Sequence, residues 1–200
     1  LAPNWQALQL LINLLSSCAV DINMLCNVTK TVCMVFKPKR ANMIVDSSFP
    51  NFTLNGITLQ FVSEFRYLGH IVNNEFSDDN DIKREIRLLF MRTNILIRRF
   101  NKCSVGVKLA WFKAYCMCIY DAGIWLHYSV TIFNKLKSCY HKCVKMFFGY
   151  SRLSSVTSML SELKLPDFDQ LITKCRLTSH NGNVGCTNKL ISNLISLEIL

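Results

Sequence analysis

The sequence predicts an α+β fold, with one helix and short strands leading into a mainly helical, basic remainder. Three observations carry this. Apolar residues recur at helical spacing over residues 4–20 and again from about 77 to 148. Between them lie runs rich in β-branched and aromatic residues, broken by Asn55-Gly56. The charge is also segregated. Residues 1–82 carry a net −2, residues 83–152 a net +12, and residues 153–200 a net 0.

The elements follow in order. Trp5, Leu8, Leu11, Ile12 and Leu15 predict an amphipathic helix over 4–20. Val28 to Phe36 reads as a strand, ended by Lys37-Pro38-Lys39-Arg40, because proline lacks the ladder donor. Phe52–Leu54, Asn55-Gly56 and Ile57–Val62 predict a hairpin, since Asn-Gly supplies the two positive φ angles of a type I′ turn. A further extended run covers Phe65 to Val72.

Ser77 or Asp78 is placed to cap a helix running to about Lys102, with the stripe Ile82, Ile86, Leu89, Leu96 and Phe100. Its acids Asp78, Asp79 and Asp81 come first, and Arg98, Arg99 and Lys102 last, which complements the helix dipole. A second helix is expected over Val107 to about Leu126. A third is expected over Thr131 to Phe148, on Ile132, Leu136, Tyr140, Cys143, Val144 and Phe147. Short helices are expected over 154–164 and 167–179, with a turn at Asn181-Gly182-Asn183. A last apolar run covers Leu190 to Leu200. The missing initial methionine and the uncapped end read as a truncated chain.

Composition excludes a disordered or collagenous chain, because half of the residues are apolar and only 7 are Gly and 4 Pro. The most apolar window, Val107 to Phe133, carries Lys108, Lys113 and Asp121, which argues against a membrane span. With no secretion signal, the ten cysteines read as reduced thiols of an intracellular protein. Cys139, His141 and Cys143, or Cys175, His180 and Cys186, form loose sets without a fourth ligand. They read as packing residues rather than a zinc site, so no metal is expected. No phosphate-binding glycine loop, GxSxG or HExxH occurs. The cluster Asp78-Asp79-Asn80-Asp81 reads as a helix start rather than a cation site. A strongly basic segment of this length favours a polyanionic partner.

Three stretches go further. They are Val28-Thr29-Lys30-Thr31 after Asn27, then Phe65-Arg66-Tyr67-Leu68-Gly69-His70-Ile71, and then Phe112-Lys113-Ala114-Tyr115-Cys116 with Ile124-Trp125-Leu126 and Phe148-Gly149-Tyr150-Ser151-Arg152. In this order, over about residues 1–165, the chain resembles the C-terminal half of the reverse transcriptase of non-LTR retrotransposons, the LINE and jockey-like elements. The resemblance implies that residues 1–76 are the end of a palm with its primer-grip hairpin. Residues 77–152 would be a basic helical thumb, and residues 153–200 a helical segment after it.

Lys30 matches the family lysine that assists the pyrophosphate leaving group. Tyr67, Leu68 and Gly69 match the primer grip. Lys83, Arg84, Arg87, Arg98, Arg99, Lys102, Lys108 and Lys113 fall in the thumb that meets template–primer duplex. The implied partners are an RNA template and an RNA–DNA or DNA duplex, with no membrane and no small-molecule substrate of its own. The implied setting is intracellular, and the parent enzyme acts on nuclear DNA.

One departure governs the function. The family's Tyr-x-Asp-Asp pair, which holds catalytic Mg²⁺ in the parent enzyme, does not occur in these 200 residues. No cofactor is therefore expected on this chain, and it is expected to be inactive as an RNA-directed DNA polymerase. A non-catalytic nucleic-acid-binding module and a functionless retroelement remnant are the alternatives. Asp121, inside an apolar stretch, reads as drift.

Overall fold

The computed structural model describes residues 2, 4–36 and 49–184. These fall into two compact units, Leu1–Ser77 and Asp78–Leu200. The fold is mixed α and β, with six α-helices and six short strands among the described residues. No helix among them is long and apolar enough to cross a membrane. Lys37-Pro38-Lys39-Arg40 and the run Leu190 to Leu200 lie outside the described residues.

The first unit opens with α1 (Trp5–Asp21). The Asn4 side chain caps it, accepting from the Ala7 amide at 2.8 Å. Asn23 ends it in the left-handed region, at φ 54°, where asparagine is tolerated. The Met24 amide then closes back onto the Ala19 carbonyl at 2.8 Å. Of the apolar stripe, Leu8 and Ile12 pack on a small core of Cys33, Phe52, Leu54 and Leu59. Trp5, Leu11 and Leu15 stay exposed. Gln9 ties α1 to the next element by exchanging two hydrogen bonds with the Thr53 backbone, at 3.0 and 3.1 Å.

Val28 to Phe36 is not one strand. Val28–Lys30 is a 3-10 turn, and only β1 (Val32–Cys33) is extended. The reason is local. The Asn27 side chain accepts from the Lys30 amide at 3.1 Å, and the Thr31 hydroxyl donates to the Asn27 carbonyl at 2.8 Å. Such side-chain bonds offer the backbone an alternative to a strand ladder.

β2 (Thr53–Leu54) and β3 (Ile57–Thr58) form the expected hairpin, with Leu54 opposite Ile57. Asn55 and Gly56 take φ of 52° and 78°. β4 (Gln60–Phe61) pairs parallel with β1. The run from Phe65 to Val72 is also a hairpin rather than one strand. β5 (Glu64–Tyr67) and β6 (His70–Asn73) pair antiparallel, with Tyr67 opposite His70.

The second unit is helical. α2 (Asp79–Phe100), α3 (Val105–Cys116), α4 (Val130–Phe148), α5 (Val156–Glu162) and α6 (Phe168–Val184) follow in order. Phe112, Leu136, Tyr140, Cys143 and Phe147 lie at the centre of its core. The whole predicted stripe of α4 is buried, as its 3.6-residue period requires. Segments 154–164 and 167–179 contribute α5 and α6, and α6 continues through Asn181-Gly182-Asn183, where a turn was expected.

The helix expected over Val107–Leu126 stops at Cys116, and a 3-10 turn (Tyr120–Gly123) follows. Ala122 is buried under α6 at this point. Gly123 sits so close that a Cβ added there would lie 2.5 Å from Ser179 Cβ. Glycine is required here for approach between segments.

α5 ends with Lys164 in the left-handed region, at φ 49°. The Leu165 amide bonds the Leu160 carbonyl at 3.0 Å, and the Lys164 amide bonds Ser161 at 3.2 Å. This is a helix-terminating arrangement that ordinarily holds glycine. Lys164→Gly is accordingly expected to stabilise the unit by about 0.5–1 kcal/mol. A chemical-denaturation midpoint that falls instead would show that the lysine side chain contributes more than its backbone costs.

Candidate nucleic-acid interface

Each unit carries a candidate surface. In the first unit, Lys30 is exposed at the end of the 3-10 turn, and Asn27 fixes its backbone. It is therefore a turn lysine and not a strand lysine.

Tyr67-Leu68-Gly69 forms the tip of the β5–β6 hairpin. Leu68 and Gly69 occupy the two left-handed turn positions, at φ 49° and 94°. A Cβ on Gly69 would meet nothing within 4 Å. Positive φ, not close approach to another segment, is what this glycine supplies. The turn leaves Tyr67 61% and Leu68 92% exposed. Phe65 is two residues before Tyr67, so both rings lie on one face of the ribbon, opposite Val72 and His70. An exposed aromatic face of this kind can stack on a base or pack on a sugar.

In the second unit the acids at the start of α2 are turned to structural use. The Asp78 carboxylate accepts from the Leu126 and His127 amides at 2.8 and 2.7 Å. Asp79 accepts from the Ser129 amide and hydroxyl at 2.7 and 2.8 Å. Ser129 in turn caps α4, accepting from the Ile132 amide at 3.3 Å. These acids do more than complement the helix dipole, because they hold the chain entering α4.

Asp81 is fully buried and accepts from Arg84 at 2.7 and 3.2 Å and from Trp125 Nε1 at 2.9 Å. Arg84 also pairs with Asp121. Asp121 is thus the partner of a half-buried arginine and not a stray acid in an apolar helix. Glu85 pairs with Arg92. Burial nevertheless pushes the Glu85 carboxyl above its ordinary range, outweighing the pull of Arg92 and Arg84.

This sorting separates the predicted basic residues. Arg84 is bound to Asp81 and Asp121 and is not available to a phosphate. Lys108 lies over the Phe147 ring at 5.7 Å. Lys113 lines a cavity between α3 and α6. Lys83, Arg87, Arg98, Arg99 and Lys102 are exposed. At 100° per residue, Lys83, Arg87 and Arg98 lie on one stripe of α2 spanning roughly 22 Å, and Lys102 continues it just past the helix end. Arg99 lies about 100° or more round the helix from Lys83, Arg87 and Arg98. Among the described residues, Arg87, Arg98 and Lys102 form no ion pair.

The thiols pack. The nine described cysteines are free, and Cys139 Sγ lies 4.0 Å from Cys143 Sγ in the core. Burial pushes the Cys116 thiol up to about 11, and the bond to Cys143 together with burial holds Cys139 high. His141 is engaged with Asp167 at 3.3 Å. His180 is exposed, and Cys186 lies outside the described residues.

Lys164 and Lys174, which join Lys113 at the cavity, were not among the candidates read from the sequence. They come from segments about 50 to 60 residues away, and no local pattern links them. No family model, no curated protein and no solved structure matches this chain.

Proposed function

We propose that this chain holds nucleic acid through its phosphate backbone, as the palm-end, primer-grip and thumb portion of a non-LTR retrotransposon reverse transcriptase. The observation that carries this reading is the α2 stripe of Lys83, Arg87, Arg98 and Lys102, exposed on a helix whose own acids are engaged at its start. Contacts to phosphate neutralise charge without reading bases, which suits a protein that must slide along a duplex. The Phe65–Tyr67 face supports the primer-grip assignment, since it offers an aromatic surface for a sugar or base.

The paired aspartates that hold Mg²⁺ in the family are not among these residues, so no metal-dependent step is assigned to them. Lys30 is the residue that would face the leaving group in the intact family enzyme.

The test is fluorescence anisotropy of the 200-residue chain with a labelled RNA–DNA hybrid, across a salt series. With three to four phosphates neutralised, log K is expected to fall against log salt with a slope of about −3, at roughly 0.9 per phosphate. A flat response, or no binding at low salt, would overturn the proposal. Primer extension with Mg²⁺ and deoxynucleotides is expected to give no product. Product formation by the pure chain would defeat the non-catalytic reading.

A further inference from the structure

The second unit contains a cavity of about 920 Å³, lined from α3, the 3-10 turn, the α5–α6 connection and α6. That volume lies in the range of small-molecule sites. Its floor is apolar, because Ile119, Leu165 and Leu171 line it and are buried. Its rim is cationic. Lys113, Lys164 and Lys174 line it with exposed side chains, and no lining residue is acidic.

Of the acids next to lining residues along the chain, Asp121 pairs with Arg84, and the other two are also engaged elsewhere. Asp167 binds His141 at 3.3 Å, and Asp169 pairs with Lys137. None of the three lysines forms an ion pair among the described residues. The rim therefore keeps its positive charge. One of its lysines, Lys164, stands in a left-handed conformation that glycine would adopt more easily.

We propose that this cavity binds an amphipathic organic anion, with an apolar body on the Ile119–Leu165–Leu171 floor and a carboxylate, sulfonate or phosphate head at the three lysines. Charge complementarity sets the head, and the apolar floor sets the body. A nucleic-acid strand fits less well, because it presents phosphates with no apolar body to fill such a floor, and its interfaces are polar and wet. The inference is independent of the reverse-transcriptase reading. It departs from the sequence-level expectation that the chain takes no small molecule.

The experiment titrates decanoate into the full chain by calorimetry, with decyltrimethylammonium as the control of opposite charge and equal body. Decanoate is expected to bind at least about tenfold more tightly than the cation. It is also expected to protect Cys118 and Cys175, which line the cavity, from alkylation read by mass spectrometry. Cys18, exposed in the other unit, should react unchanged.

The variant K113Q/K174Q is expected to weaken decanoate binding about tenfold. Lys164→Gly removes one rim charge while easing the backbone, so a folding defect cannot explain a weakening of several-fold there. Equal binding of both amphiphiles, or no selective protection of Cys118 and Cys175, would overturn the proposal. So would displacement of decanoate by a short oligonucleotide, which would assign the rim to nucleic acid.

Discussion

Asp81→Ala is expected to lower the stability of the second unit by about 3–5 kcal/mol. Asp81 is fully buried and takes two hydrogen bonds from Arg84 and one from Trp125 Nε1. Removing it leaves the Trp125 N–H buried without this acceptor, which alone costs about 1–3 kcal/mol. It also leaves Arg84, whose side chain is 13% exposed, with only Asp121 and a longer contact to Glu85 at 3.9 Å. The remaining pairing places the effect toward the lower end of the range. Asp121→Ala removes a more exposed partner and is expected to cost only about 1 kcal/mol. Guanidinium unfolding followed by tryptophan fluorescence checks both, because Trp125 is buried beside the changed acid. An Asp81→Ala midpoint equal to that of Asp121→Ala would show that the buried bonds of Asp81 to Arg84 and Trp125 contribute no more than the Arg84–Asp121 pair.

The triple variant R87Q/R98Q/K102Q is expected to weaken binding to an RNA–DNA hybrid about a hundredfold at 0.1 M salt, and to lower the salt slope by 2 to 3, at about one per phosphate contact. These residues share one exposed stripe, so a strand that meets one of them meets the others. Two controls keep the result interpretable. Arg99→Gln lies off the stripe, and the slope is expected to stay where it was. Arg84→Gln is expected to lower stability with no change in slope, since that arginine is occupied by Asp81 and Asp121. Helicity by circular dichroism should be unchanged in the triple variant, because all three side chains are exposed. If Arg99→Gln lowers the slope as much as the triple variant does, the duplex lies on a different face.

Much of the architecture was legible from local pattern. α2 and α4 follow the apolar period closely, α1 forms where expected although only Leu8 and Ile12 of its stripe pack inward, and Asn55-Gly56 marks its turn by the φ angles only such residues adopt readily. The misses share one cause. At Val28–Lys30, a strand-rich composition gave way to side-chain bonds from Asn27 and Thr31. At Leu68-Gly69, a run read as extended concealed a hairpin turn, because leucine is a rare occupant of a left-handed position. Beyond Cys116, apolar character continued while the helix did not, because Ala122 and Gly123 had to tuck under α6. In each case, partners decided what the residue's own preference left open.

The candidate site divides in the same way. By itself the sequence determined that the chain is an α+β protein, that residues 83–152 carry its positive charge, and that the aspartate pair of the polymerase family is not among its residues. Charge and periodicity are additive along a chain, so they can be counted without coordinates. Only the tertiary structure decided that Arg84 faces inward while Arg87 and Arg98 face out, that Asp121 is its partner across 37 residues, and that Lys113, Lys164 and Lys174 meet at one cavity. Those outcomes depend on which buried charge finds a counter-charge. Desolvation makes an unpaired interior charge costly enough to settle the matter, and no local pattern records which residue will be its partner.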